Sequence, residues 1–510
     1  MRNMTSYTKW IRWALIIGVF CIPFIPFIIS YTWYFPFITG KNFTFRILIE
    51  ILFALACLLA LKDPAYRPRF SWVSIGMLAL LITSTLSTLL SVDPVKSFWS
   101  NFERMEGLVG LIHLVAWFYI ASIVLTTEKL WNRFLQVSVL ASAIMGGYVL
   151  LQLGGIFAID QGGIRTDGTF GNAIYLAVYM LFHIFFTLLL MVRERRYVWM
   201  HILYGAAVIL QTIGLYYAAT RSATLGLLGG LLVSALWIIV FGKEYKRLRT
   251  WSFSVIAVVL ILVAVFMVAR QSHFVSTSPV LSRFASISTD ETTIKSRFMI
   301  WGMASQGFME HPIFGWGLDN FNFVFNKYYN PQMWQQEQWF DRAHNGYIDW
   351  AIAGGLLGLL AFLSLFVTAL WTFIRSSAFS TPERAVLIGL LAAYAFHSFF
   401  VFDNLMSSVY FFLLLLMAHT ASKRDVPRAM VMTRPVPDAL YAIALPIIVV
   451  GVAVGGYFLN APGIHTSSIL IDGLTSTKTA VDTLGKVSTV QKDPKENLAS
   501  FDAATSGSML

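Results

Sequence analysis

At 510 residues the chain is long enough for about three soluble domains of roughly 150 residues each. Its composition excludes them: 57% of the residues are hydrophobic and only 12% charged, about half the roughly 25% of a soluble protein. Disorder and a disulfide scaffold are excluded on the same grounds, and the net charge of +11 is read as topological Lys and Arg, with no nucleic-acid partner implied.

The chain reads as an all-α polytopic membrane protein. Thirteen apolar runs are long enough to cross a bilayer, at roughly 11–31, 45–61, 70–91, 107–126, 131–153, 173–192, 198–219, 222–241, 251–269, 346–374, 384–402, 405–420 and 439–459. The first is too long for a signal-peptide core and lacks a small-residue cleavage site, so it is read as an uncleaved anchor. The two cysteines, Cys21 and Cys57, fall inside such runs and are read as lipid-facing or packing residues. The spacings Gly226/Gly230, Gly354/Gly358 and Gly451/Gly455 are read as close helix contacts.

With the N-terminus in the cytoplasm, 21 of the 37 Lys and Arg fall on inner segments. Short outer loops keep six: Lys41, Arg46, Lys96, Arg104, Arg165 and Arg221. The bias orients the chain with a long outer segment at 270–345 and an outer tail at 460–510. Residues 1–459 then form the transmembrane domain, and the tail is either a mobile extension or the first helices of a helical-repeat domain. Few charges enter the spans; Glu50 and Asp349, near the outer ends of theirs, are the clear cases. That scarcity disfavours an ion-coupled lipid or polysaccharide transporter.

The informative polar groups fall on the outer side. In chain order they are Asn101-Phe-Glu-Arg-Met-Glu-Gly107, Arg165-Thr-Asp-Gly-Thr-Phe-Gly-Asn172 and Thr220-Arg221-Ser222-Ala223. Then come Arg297-Phe-Met-Ile-Trp301, His311-Pro312-Ile-Phe-Gly315-Trp-Gly317 and Asp341-Arg342-Ala-His344-Asn345-Gly346. Arg221 stands in a short outer turn that needs no charge; it is either snorkelling to headgroups or gripping an anion, for which a guanidinium offers a planar fork of donors. Arg297 is expected on a helix capped at 289–291, whose apolar residues Ile294, Phe298, Trp301 and Phe308 recur at helical spacing. His344 stands where the long outer segment meets span ten, and an ordinary imidazole, titrating near pH 6.5, can accept a hydroxyl proton at neutral pH. No HExxH, CxxC, phosphate loop or Asp-x-Asp pair occurs, so no metal or cofactor is expected, and a bound diphosphate would be held by Arg and Lys.

In this order the motifs resemble the O-antigen ligase and Wzy-type polymerase superfamily over about residues 70–420. The resemblance implies a fold similar to the C-type glycosyltransferases, with 12–13 transmembrane helices and a large periplasmic loop, in a bacterial inner membrane. It implies metal-independent, inverting transfer of a glycan from undecaprenyl diphosphate to an acceptor hydroxyl. Arg221 and Arg297 would bind the diphosphate and His344 would activate the acceptor. Arg165 and Arg104 are further candidates for donor contacts, and Glu103 and Glu106 for orienting the acceptor. A lipid A-core acceptor would make the chain a ligase in lipopolysaccharide biosynthesis. A growing glycan would make it a polymerase, and a Ser or Thr side chain a protein O-oligosaccharyltransferase. The sequence departs from many relatives where Ala173 and Ile174 follow Phe-Gly-Asn172, and in its thirteenth span and tail.

Overall fold

The computed structural model describes residues 6–194, 198–286, 292–334, 339–422, 435–475, 477–481 and 487–506. Seven basic residues used for orientation (Arg2, Arg195, Arg196, Lys423, Arg424, Arg428 and Arg434) and the cap expected at 289–291 lie outside them.

Each apolar run is a helix. The first spans are α1 (Ser6–Cys21, continued by a 3-10 turn to Phe27), α2 (Thr39–Lys62) and α3 (Trp72–Leu89). After a short α4 (Pro94–Trp99) come α5 (Leu108–Val124), α6 (Glu128–Leu153), α7 (Ala173–Arg193), α8 (Val198–Tyr217), α9 (Arg221–Phe241) and α10 (Lys246–Ala269). The long segment that follows folds into α11 (His273–Thr277), α12 (Leu281–Ala285), α13 (Thr292–Glu310) and α14 (Phe321–Lys327). The last spans are α15 (Gly346–Arg375), α16 (Thr381–Ser398), α17 (Leu405–Ser422) and α18 (Asp438–Leu474). Among the described residues, eleven helices are long and apolar enough to cross a membrane; α5 is slightly short and α16 is not among the eleven. The chain is thus an all-α polytopic membrane protein, apart from one hairpin in the tail.

The helices α7 and α17 are apolar all round and buried all round, which makes them the centre of the bundle. At the edge, α10 and α18 expose nearly all of their apolar residues, as lipid-facing helices do. In lipid, helices associate through close packing and interhelical hydrogen bonds rather than water exclusion. Gly226 and Gly230 meet that requirement: a Cβ there would lie 2.8 Å from Ala393 O and 2.5 Å from Gly389 O, so α9 and α16 touch backbone to backbone. The other two glycine spacings do not act this way, for a Cβ at Gly354, Gly451 or Gly455 would meet nothing within 4 Å. Polar links complete the bundle. Ser138 bonds to both His183 and Tyr410, and Gln211 to both Ser142 and Thr187. Glu50 joins three helices by accepting from Asn460 while its other partner is His113 at 3.0 Å.

Three further expectations change. The second span begins at Thr39, not near 45, so Lys41 and Arg46 are not loop residues; both are buried in the first turns of α2. Lys41 Nζ donates to Phe37 O and Thr169 O, and Arg46 donates to Met105 O. Span ten is not continuous either, because Gly355 takes φ 64°, ψ −158° inside α15. The loop at 312–317 fills that break: Trp316 N and Gly317 N donate to Ile352 O and Ala353 O, and Leu356 N donates to Pro312 O. Irregular backbone at this depth persists only when protein groups satisfy it, as here. Finally, α18 extends to Leu474, and the tail folds back on it as an antiparallel hairpin, β1 (Thr477–Val481) and β2 (Val487–Gln491), then α19 (Pro494–Ser506). Lys492 and Ser500 both bond Asp472 there.

Candidate functional site

The segment 165–172 is a pinned loop. Asp167 accepts from Gln152 and from Gln161 N, and Gly168 N donates back to Gln152. Gly168 and Gly171 sit at φ 59° and 63°, where a Cβ would also clash with Met145 and Phe37. Asn172 caps α7 by accepting from Ile174 N, so Ala173 and Ile174 support an ordinary helix start. The loop delivers Arg165 to the junction of α8 and α9, where it donates to Ala218 O at 3.0 Å and Thr220 Oγ1 at 3.1 Å.

Arg221 is the first residue of α9. Its Nε donates to Arg283 O at 2.6 Å and its Nη2 to Ser286 Oγ at 2.8 Å. Burial and the charges of Arg283 and Arg221 lower Arg165 to a pKa of about 10. Three guanidiniums therefore share one neighbourhood at the membrane-loop boundary, with Arg270 donating to Ala285 O nearby. Arg283 was missed in the sequence because α12 carries no recognisable motif; only the fold brings it to Arg221.

A second group surrounds His344. Its φ of 55° turns the chain just before Asn345, which caps α15 by accepting from Tyr347 N and Ile348 N. The ring lies between Phe340 and Phe402, with centroids 5.4 and 5.2 Å away. Burial lowers its pKa to about 4; a hydrogen bond with Arg342 O opposes the shift, and the charges of Arg297 and Arg104 add to it. His344 is therefore neutral across the neutral range and has a lone pair to offer. Arg297 reaches this group on α13, whose buried face is Ser296, Ile300, Met303 and Ala304. The expected stripe is only partly right, since Phe298 is exposed. Trp301, one turn on from Arg297, donates to Ala343 O, the neighbour of His344.

The flanking charges are paired with one another. Arg104 holds Asp341 in a two-point contact, Nε to Oδ2 at 2.6 Å and Nη2 to Oδ1 at 3.0 Å, and also contacts Tyr175 Oη and Glu103. Burial pulls the Asp341 carboxyl up, but Arg104 outweighs it and holds the group below the usual carboxylate range. Arg342 pairs with Glu106 at 2.8 Å and Asp319 at 3.2 Å. Asp319 also accepts from Ser100 Oγ and Asn101 N, tying the 100–107 loop to the long segment. In this arrangement Arg104 and Glu106 hold the peptide leading to His344, and Glu103 is the more exposed of the two acidic candidates.

The end of α16 joins the two groups. His397 shares a hydrogen bond with Ser222, next to Arg221, while Phe399 packs edge-on against Trp301. What the arrangement offers is fixed cationic groups for an anion, a neutral imidazole at the mouth of a broken helix, and apolar bundle walls below. Among the described residues no group of three or more His, Cys, Asp or Glu is placed to hold a metal ion.

The O-antigen ligase family (Wzy_C) matches residues 206–363, a segment that contains Arg221, Arg297, the 311–317 loop and His344. Over that segment the chain is similar to the O-antigen ligase and polymerase superfamily, a family of glycosyltransferase-like enzymes. The 101–107 and 165–172 motifs lie outside the match. No curated protein matches the chain.

Proposed function

We propose that this chain is an O-antigen ligase-type glycosyltransferase, moving a glycan from undecaprenyl diphosphate to an acceptor hydroxyl at the periplasmic face of the inner membrane. The observation that carries this reading is that the family-matched segment holds Arg221, Arg283 and Arg297 together with a neutral His344.

The donor is an anionic lipid, with its prenyl chain in the bilayer and its diphosphate at the loop boundary. Arg221 and Arg297 are its ligands, and Arg165 and Arg283 add positive potential. As the bond from the anomeric carbon to the diphosphate oxygen breaks, negative charge grows on the leaving group. Preorganised guanidiniums stabilise it in a site partly cleared of water. The acceptor oxygen attacks the anomeric carbon from the opposite face and inverts it. Its proton passes to His344, and undecaprenyl diphosphate departs. A base with a pKa near 4 is weak while the diphosphate is absent. A bound diphosphate offsets the Arg297 charge and raises the proton affinity of His344 when the acceptor needs it. No metal ion is required in this scheme.

The test is product formation by purified protein given a lipid-linked donor and separate core-glycolipid, glycan and peptide acceptors, with and without chelator. Arg221→Lys and Arg297→Lys keep the charge but lose the planar fork, and each should slow transfer about 10²-fold. His344→Gln should slow it about 10²–10⁴-fold with donor binding retained. Wild-type turnover in all three variants, or strict dependence on added Mg²⁺, would overturn the assignment. Movement of donor across the bilayer without any product would favour a transporter.

A further inference from the structure

The end of the bundle opposite the candidate site holds a cavity of about 920 Å³ between α6 and α8. Both helices run from this end toward the site, α6 into the 165–172 loop and α8 into the turn at Thr220. They converge on the way: Gln211 donates to Ser142 at 2.8 Å, and a Cβ on Gly146 would lie 2.8 Å from Leu210 Cβ. The space between them is therefore a wedge, wide at the membrane surface and closed within the bilayer.

Its lining is graded. Deep in the wedge the walls are apolar, formed by Leu140, Ala143, Leu203 and Ala207. At the rim stand Lys129 and Arg133, four residues apart on one face of α6, and both exposed. Neither has a hydrogen bond or ion pair to another described residue. The two carboxylates at the rim are already satisfied or locally favoured. Glu194 accepts from Gln136 at 2.9 Å and from Tyr204 Oη at 2.6 Å, and Glu128 sits in the first turn of α6, where the helix dipole favours it. Trp199, 60% exposed at the start of α8, completes the rim with an aromatic ring of the kind that settles at headgroup level.

We infer that this wedge is a specific site for one anionic glycerophospholipid, its phosphodiester between Lys129 and Arg133 and one acyl chain along the apolar walls. Charge complementarity selects the occupant: two cations without a hydrogen bond or ion pair to a described residue stand at the open end, and of the carboxylates beside them Glu194 is engaged by Gln136 and Tyr204, while Glu128 lies in the first turn of α6. A soluble anion would leave the apolar walls uncovered, and a neutral or zwitterionic lipid would leave the cations without a net counter-charge. Once bound, the lipid braces α8 against α6 at the end remote from Arg221.

The test uses the full-length protein in neutral detergent, titrated with phosphatidylglycerol, phosphatidylcholine and glycerol 3-phosphate and read by native mass spectrometry. One phosphatidylglycerol should be retained at least tenfold more strongly than phosphatidylcholine, and glycerol 3-phosphate should not displace it. Lys129→Gln with Arg133→Gln should weaken retention about tenfold. So should Ala143→Phe, which fills the wedge, or Leu203→Asn should Ala143→Phe fail to fold. Lys246→Gln with Arg249→Gln, basic residues outside the wedge, should leave retention unchanged. Equal retention of the two lipids, displacement by glycerol 3-phosphate, or an equal loss in the α10 control would each overturn the inference.

Discussion

Breaking the Arg104–Asp341 contact tests whether the peptide carrying His344 is held by a pair of charges 237 positions apart in sequence. The Arg104 side chain is 13% exposed and that of Asp341 7%. Removing one member of such a pair strands the other charge, which costs about 3–5 kcal/mol. Asp341→Ala should fall at the lower end, about 3 kcal/mol, because Glu103 at 3.1 Å and the Phe402 face at 4.6 Å still receive the Arg104 guanidinium. Arg104→Ala should cost a similar amount. The double replacement Arg104→Met with Asp341→Leu removes both charges, so it should cost less than the two single changes together, with a coupling energy of about 2 kcal/mol. Unfolding in graded denaturing detergent reads these differences. Transfer should fall in both single variants by at least about tenfold, because a displacement of about 1 Å in a reacting group can cost 10²-fold. Additivity within about 0.5 kcal/mol would refute the pairing argument. If Arg104→Ala abolished donor binding and Asp341→Ala did not, Arg104 would instead be a diphosphate ligand.

With His344 held at about 4, the acid limb of kcat/KM should fall near pH 4 rather than near 6.5, and a limb at 6.5 would count against the assignment. The same depressed pKa has a stability consequence. Between pH 6.5 and 4 the unfolded chain binds a proton that the folded one does not, so stability is lost as pH falls through that window, and His344→Gln should flatten the loss. Gly355→Ala places a Cβ 2.4 Å from Ile313 O at a positive φ, so it should lower thermal stability and transfer together, whereas Gly354→Ala, which meets nothing, should do neither. Orientation is read by cysteine labelling in a background free of Cys21 and Cys57. Ser276→Cys should react with an impermeant thiol reagent in intact spheroplasts and Glu244→Cys only after lysis, and the reverse pattern would invert the topology.

The sequence by itself determined where the apolar helices fall along the chain. An apolar run of about 20 residues has few other ways to satisfy its backbone in lipid, so thirteen runs became thirteen helices whatever they pack against. It also determined the positions of the charged motifs along the chain, because short loops between spans leave little freedom: Arg221 begins α9, and His344 and Asn345 begin span ten. Tertiary structure decided what these residues do to one another. Nothing in the pattern around Gly354, Gly355 and Gly358 separates a packing stripe from a break; the break exists because the 312–317 loop supplies the hydrogen bonds that α15 gives up. Lys41 and Arg46 read as loop charges until Thr169 and Met105 accept from them inside the bundle. Arg104, Glu106, Arg165 and Arg283 look alike as surface charges in the sequence. They differ because Coulomb energy depends on distance in space and on burial, and the partners that set both are brought together only when the helices pack.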